Sequence, residues 1–118
     1  MAEEIEKKVE LAYLMDFYGG MLTEKQREVL SMHCEEDLSL GEIAAEEATS
    51  RQSVHDTLTR TARKLFDMEE KLGIAARFRA IGEGLEECRG ALRRKDYDRA
   101  EAVLDALIRL NQEENNGL

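Results

Sequence analysis

A short segment, residues 50–64, carries basic, amide and hydroxyl side chains in a spacing that suits contact with duplex DNA. It holds four basic residues and one acidic residue, a local net charge of +3, in a chain whose formal net charge is −9. Arginine and glutamine bond most favourably to guanine and adenine edges, whereas cations and hydroxyls hold phosphate oxygens. A cationic segment within an acidic protein therefore indicates contact with one particular anionic partner rather than general affinity for polyanions.

Two helices joined by a tight turn are predicted to position this segment. Ser39–Glu42 forms a capping box that begins a short helix, which ends near residues 46–47. Ser50 is placed as the N-cap of a longer basic helix that continues to about Leu72, where Gly73 closes it. A short helix, a tight turn and a longer basic helix with its own cap are typical of a helix-turn-helix.

The apolar residues of the two helices agree with that interpretation. Ile43 and Val54 are spaced to meet between them, and Ala44 is small enough for the second helix to cross over it. An ordinary pair of amphipathic helices is the alternative, and the two caps together with this spacing favour the helix-turn-helix. The second helix is predicted to bury the stripe Val54, Leu58, Ala62, Leu65 and Leu72.

Helix geometry gives each polar residue a predicted role. The first turns of the second helix face base edges in the major groove, which assigns base contacts to Arg51, Gln52, His55 and Thr59. Phosphate contacts are assigned to Lys25, Ser50, Arg60, Arg63 and Lys64. Asp56 either accepts a hydrogen bond from a cytosine amine or pairs with Arg60 one turn on. Since a lone basic residue is usually only part of a solvated helix face, the prediction depends on the grouping after Ser50.

Two further helices are predicted before the helix-turn-helix. The first covers about residues 4–18, and its expected apolar face is Ile5, Val9, Ala12, Met15, Phe17 and Tyr18. Gly19 and Gly20 are expected to end it in the left-handed conformation that glycine tolerates. Thr23–Gln26 is a second capping box, and the helix that it begins should end near residues 35–37.

The C-terminal third is predicted to be an antiparallel helical hairpin, which divides the chain into a helix-turn-helix domain, residues 1–72, and a hairpin, residues 73–118. Its first helix shows a heptad seam of Ile74, Phe78, Ile81, Leu85, Cys88 and Leu92. A turn at residues 93–96 leads to a helix lined by Tyr97, Ala100, Leu104, Leu107 and Ile108. The hairpin either completes the core or pairs with a second copy of the chain.

Composition narrows the class of protein. The chain has no proline, 42% hydrophobic and 36% charged residues, which indicates an all-α protein. We expect a cytoplasmic location because no apolar run could cross a membrane and the N-terminus is acidic.

Cys34 and Cys88 are expected to be unpaired thiols, and the absence of clustered Cys and His predicts no metal site or cofactor. His33 and Cys34 are neighbours that diverge on a helix, so we predict no enzymatic activity.

Four stretches of the chain resemble the YlxM family of small bacterial helix-turn-helix proteins: Leu14–Gly19, Leu22–Gln26, Asp37–Ala44 and Ser50–Asp56. The resemblance covers roughly residues 5–72. It implies a fold similar to the promoter-reading region 4 of sigma factors and a DNA-binding regulatory role. Because the family's genes typically lie beside those of the signal recognition particle GTPase or its receptor, it also implies a link to that pathway.

The chain departs from the family pattern at three places. In the turn, Glu47, Ala48 and Thr49 replace an apolar residue, an Asn or Gly, and a Val, which should loosen the packing of the turn. His33 and Cys34 stand where paired aromatic residues are expected. The C-terminal hairpin is not matched to the family, which favours a lineage-specific addition. An adaptor that binds protein, or the signal recognition particle RNA, through the same helices is the alternative to a DNA-binding regulator.

Overall fold

The computed structural model describes the backbone of residues 2–116 and the side chains of residues 6–113. Within these residues all regular structure is helical, which confirms the predicted all-α fold. Six α-helices follow one another: α1 Ala2–Tyr18, α2 Glu24–Cys34, α3 Leu40–Glu46, α4 Arg51–Leu72, α5 Ile74–Arg93 and α6 Tyr97–Asn116. No helix in the described part of the chain is both long enough and apolar enough to cross a membrane.

The predicted caps define the helices around the turn. The Thr23 hydroxyl accepts a hydrogen bond from the Gln26 amide at 3.1 Å, and the Gln26 side chain accepts one from the Thr23 amide at 3.0 Å. Ser39 and Glu42 repeat this reciprocal pair with the same two distances. Each cap satisfies amides that have no partner inside the helix, which contributes about 1 kcal/mol per cap. Both capping boxes are therefore confirmed.

The end of α1 differs from the prediction. Neither Gly19 nor Gly20 is left-handed; the chain continues into a 3-10 turn, Gly19–Met21, in which the Leu22 amide donates to the Gly19 carbonyl at 3.1 Å. The left-handed glycine is instead Gly73, with φ of 63°, which closes α4 as predicted. The chain therefore leaves α1 through a 3-10 turn and needs no left-handed residue there.

Residues 1–75 form one compact unit, which contains α1 to α4. The first of its two buried clusters draws on α1, α2 and α4 and includes Leu11, Leu14, Tyr18, Leu22, Leu30, Leu65 and Ala75. The second cluster belongs to the helix-turn-helix and consists of Val29, Ile43, Ala44 and Val54. The predicted contact of Ile43 with Val54 is confirmed, and each of these fully buried aliphatic side chains contributes roughly 1.5–3 kcal/mol.

Two predictions about buried apolar residues are corrected by this core. Val9 is 64% exposed, because α1 buries the face that carries Leu11 and Leu14, which is rotated from the predicted one. Ile5, the other end of the predicted face, lies outside the residues whose side chains are described. Leu72 is 48% exposed beside the glycine that ends α4. Further back along the same helix a threonine, Thr61, is fully buried, and its hydroxyl donates to the Thr57 carbonyl at 2.7 Å.

A buried tyrosine ties the start of α5 to α1 and α4. The Tyr18 hydroxyl donates to Glu69 Oε1 at 2.6 Å and accepts from the Ile74 amide at 3.2 Å. The Ala75 amide donates to the same Glu69 oxygen at 3.0 Å. Glu69 and Tyr18 thus satisfy amides in the first turn of α5, as an N-cap would.

Residues 76–118 form a second compact unit, in which α5 and α6 pack as an antiparallel hairpin. Its core is made of small residues, Cys88, Ala91, Ala100 and Val103, with Leu107 packed against them. At Gly84 an added Cβ would lie 2.7 Å from Leu107 Cδ2, so any larger residue here would force the Leu107 side chain to shift. The Asp96 side chain caps α6 by accepting from the Arg99 amide at 3.1 Å.

The predicted heptad seam is not the interface within this hairpin. Of its members Cys88 alone is buried; exposed fractions are 37% for Ile74, 62% for Phe78, 36% for Ile81, 53% for Leu85 and 50% for Leu92. On α6, Ala100 is buried, whereas Tyr97, Leu104 and Ile108 are exposed. The helices meet along small residues because these permit a shorter interhelical distance than leucine and isoleucine would.

Candidate nucleic-acid interface

The turn between α3 and α4 is tight and keeps its backbone hydrogen bonds despite the polar residues in it. The Thr49 amide donates to the Ala44 carbonyl at 2.9 Å, and the Ala48 amide to the Ala45 carbonyl at 3.4 Å. Ala48 takes a φ of 50°, the left-handed region that L-residues other than Gly and Asn rarely adopt. The turn of this chain is therefore strained at one residue.

The first turn of α4 is positioned by its N-cap and by the packing beneath it. The Ser50 hydroxyl accepts from the Ser53 amide at 3.0 Å, which confirms the predicted cap. Val54 is buried against Ile43 of α3, so the orientation of α4 is set by the helix-turn-helix core. The residues assigned to base contact all lie exposed on α4: Arg51, Gln52, His55 and Thr59.

Three of these side chains lie against neighbours within the helix-turn-helix. Gln52 Nε2 donates to Asp56 Oδ1 at 3.0 Å, and His55 Nδ1 lies 3.8 Å from the same oxygen. Asp56 therefore orients Gln52 before any ligand arrives. Arg51 lies against Gly41 of α3, where an added Cβ would stand 3.1 Å from Arg51 Nε. Gly41 leaves the space through which the guanidinium extends, a role that its sequence position alone did not reveal.

The residues assigned to phosphates fall into separate places. Arg60, Arg63 and Lys64 line one shallow depression together with Lys71 and Asp67. Lys71 was not among the predicted residues, although it follows Lys64 by seven positions and so shares its helix face. The ammonium of Lys64 already donates to the Met21 carbonyl at 2.8 Å, which directs it toward the 3-10 turn.

The remaining two assigned phosphate contacts, Ser50 and Lys25, lie at the starts of α4 and α2. Both are exposed. The Ser50 oxygen is already the acceptor of the N-cap bond, but its proton remains available to a phosphate. Together with the depression on α4, they give a set of donors spread over two helices.

The structure offers little support for catalysis at the cysteine beside a histidine. Burial raises the pKa of the Cys34 thiol to about 11, so the thiolate nucleophile is scarce at neutral pH. Burial, and after it the nearby charge of Lys8, lowers the pKa of His33. Both cysteines are free thiols. Among the described residues no group of three or more His, Cys, Asp and Glu side chains is arranged to hold a metal ion.

The sequence of the chain matches one protein family and several proteins of that family. Residues 5–104 match the model of the family UPF0122, described as "Putative helix-turn-helix protein, YlxM / p13 like". A UPF0122 protein of Halalkalibacterium halodurans is 43% identical over 88 residues, which are 75% of this chain and 81% of the relative. One from Geobacillus kaustophilus is 39% identical over 105 residues, 89% of this chain and 94% of the relative. One from Bacillus pumilus is 38% identical over 108 residues, 91% and 98% of the two chains.

These matches correct one expectation. The family match continues through α5 and into α6. The match to the family therefore includes α5 and the first part of α6, and the prediction that the hairpin is a lineage-specific addition is wrong.

Proposed function

The chain belongs to the YlxM/p13-like family of helix-turn-helix proteins, and from that premise we propose that it is a non-enzymatic, cytoplasmic regulator that binds duplex DNA through α4. The observation that carries the proposal is the exposed row at the start of α4, Arg51, Gln52, His55 and Thr59, on a helix fixed by the buried contact of Ile43 with Val54. In a helix-turn-helix that row faces the major groove.

The side chains of the row favour a mixed recognition site. Arg51 can bond bidentately to guanine O6 and N7, and Gln52 can bond to adenine N6 and N7. Asp56, which already holds Gln52, limits the positions that the amide can take. Each bidentate contact contributes about 1–3 kcal/mol of discrimination against the wrong base.

Arg60, Arg63, Ser50 and Lys25 supply the proposed phosphate contacts. We propose that Lys64 joins them after it exchanges the Met21 carbonyl for a phosphate oxygen. Because the formal net charge is −9, binding to duplexes without the site should be weak, and affinity should fall steeply with salt.

Selection from a random duplex library at low salt tests the proposal. We expect one sequence family to be enriched. Arg51→Ala should relax the preference at one position, whereas Arg60→Ala should weaken all sequences alike and reduce the salt slope by about 0.9. If no sequence is enriched and the chain instead retains the signal recognition particle RNA or a protein, the adaptor function replaces this one.

We also propose that the hairpin joins two copies of the chain. Five large apolar side chains are 36–55% exposed on α5 and α6: Ile81, Leu85, Leu92, Leu104 and Ile108. On both helices they are offset in the same rotational sense from the small residues of the hairpin core. Since the helices run antiparallel, both stripes then lie on one face. An apolar face of this kind is uncommon on a monomeric protein.

Light scattering with Leu85→Asp tests the pairing. A dimeric mass for the native chain and a monomeric mass for the variant support it, whereas an unchanged mass excludes that face. Glu86→Lys is the control, since it changes a charge at an exposed neighbour outside the stripe. A dimer would read two half-sites, so the selected duplex should be close to palindromic. The resemblance also suggests a regulatory role in the signal recognition particle pathway.

A further inference from the structure

An open groove of about 810 Å³ lies beside α4 within residues 1–75. Apolar side chains from α1, α4, the α2–α3 connection and the start of α3 form its floor, among them Leu11, Leu38, Leu40, Leu58, Ala62 and Phe66. Phe66 is 36% exposed and Leu38, Leu40, Leu58 and Ala62 are half-buried, so these side chains are accessible to a ligand, whereas Leu11 is buried beneath them. A duplex would leave this apolar surface unused, because DNA presents phosphates and polar base edges.

The rim of the groove is cationic. Lys7 and Lys8 of α1 and Arg63 of α4 line it, and Asp67 is the one acidic residue that the described lining includes. Lys8 also contacts Asp37 at 2.6 Å, in a pair whose carboxylate is largely exposed. Exposed pairs contribute at most about 1 kcal/mol, so a second carboxylate can replace Asp37 at little cost. A positive rim on a protein of charge −9 selects an anionic ligand.

The occupant must therefore be apolar on one side and acidic on its flanks. We propose that the groove binds an amphipathic α-helix of another protein, with apolar side chains on the floor and glutamate or aspartate side chains on Lys7, Lys8 and Arg63. A helix that presents anchors at positions i, i+3 or i+4, and i+7 to an apolar groove is a recurrent mode of recognition. Acidic flanks match the rim in charge, whereas basic flanks would be repelled.

This site has a regulatory consequence that rests on the proposed DNA-binding function. His55, Thr59 and Arg63 line the groove, and the same residues belong to the proposed DNA interface. A helix seated in the groove would cover side chains that a duplex needs. The partner helix and DNA therefore compete, and by linkage each lowers the apparent affinity of the other.

A displayed library of 18-residue helices tests the groove without DNA. Floor-facing positions are varied among Leu, Ile, Phe, Met and Ala, and flanking positions among Glu, Gln and Lys; the bait is the full chain. We expect enrichment of Glu over Lys at the flanks. For the enriched peptide, fluorescence anisotropy should show at least tenfold weaker binding to Lys7→Glu, and less than twofold change for Arg27→Glu, an exposed charge reversal outside the groove.

A second measurement locates the peptide. A peptide seated in the groove should shift the ring proton resonances of His33, which lines it. The proposal is overturned if Glu and Lys are enriched equally at the flanks or if no peptide is enriched. It is also overturned if the chain binds the fatty-acid anion dodecanoate but no acidic peptide. If an acidic helix binds but no duplex is ever selected, the groove stands and the DNA function fails; if both bind without competition, the regulatory consequence is wrong.

Discussion

Replacement of Ala48 by glycine should stabilise the helix-turn-helix. Ala48 has a φ of 50° and an exposed side chain, so the methyl group gains nothing by packing and strains the backbone. A left-handed alanine costs about 1–2 kcal/mol, and glycine adds about 0.5–1 kcal/mol of unfolded-state entropy. The net expectation for Ala48→Gly is an increase of about 0.5–1 kcal/mol in the free energy of unfolding.

Urea unfolding followed by circular dichroism, with heat unfolding alongside, measures the change. For a unit of this size the gain should raise the midpoint temperature by about 2–8 °C. Ala45→Gly is the matched control, since Ala45 is also exposed but lies within α3, where glycine should cost about 1 kcal/mol. Ala48→Asn should fall between alanine and glycine.

The critical result is that Ala48→Gly raises the free energy of unfolding whereas Ala45→Gly lowers it. If Ala48→Gly destabilises the chain as much as Ala45→Gly does, residue 48 is not left-handed in solution, and the explanation of the turn fails. An unchanged slope of free energy against urea is required, because a changed slope would mean that the unfolded state has altered.

The other expectations concern four sites. Gly41→Ala should displace the side chain of Arg51 and alter the selected base at one position while leaving stability within about 1 kcal/mol, as selection and urea unfolding would show. Because the pKa of His33 is lowered below 6.5 in the folded chain, the unfolded chain binds that proton more tightly. The free energy of unfolding should therefore rise with pH below 6.5 and level off above it, and His33→Gln should remove that step. Tyr18→Phe should cost about 1–3 kcal/mol in urea unfolding, since it removes the hydroxyl that donates to the Glu69 carboxylate and accepts from the Ile74 amide. Cys34, with its pKa near 11, should react slowly with iodoacetamide at pH 8 until urea exposes it; fast alkylation of the folded chain would contradict the burial.

Much of the fold was accessible from local spacing. Both capping boxes, the cap at Ser50 and the glycine that ends α4 were predicted at the correct residues. These features depend on bonds between residues three or four apart, so a short stretch of sequence contains all the partners. The contact of Ile43 with Val54 was predictable for a similar reason, since a tight turn leaves few ways for two helices to meet.

The candidate interface was predictable where it depends on spacing along one helix and was not predictable where it depends on contacts with other segments. The position of Arg51, Gln52, His55 and Thr59 on one exposed face was a consequence of helix periodicity. The direction of their side chains was not, because Gly41 and Asp56 determine it from a neighbouring helix and from the next turn. The groove was not predictable either, since its floor collects residues from segments that are distant in sequence.

By itself, then, the sequence determined the caps that begin α2, α3 and α4, the glycine that ends α4, and that α3 and α4 form a helix-turn-helix, because capping and turn chemistry are local. Tertiary structure decided which face of α1 is buried. Leu11 and Leu14 are buried, and Val9 is not, because α2 and α4 pack against the face that carries the two leucines. It also decided that α5 and α6 meet along small residues, because the clearance at Gly84 depends on a leucine 23 positions away. Which face of a helix is buried depends on the residues packed against it, and these come into contact only when the chain folds.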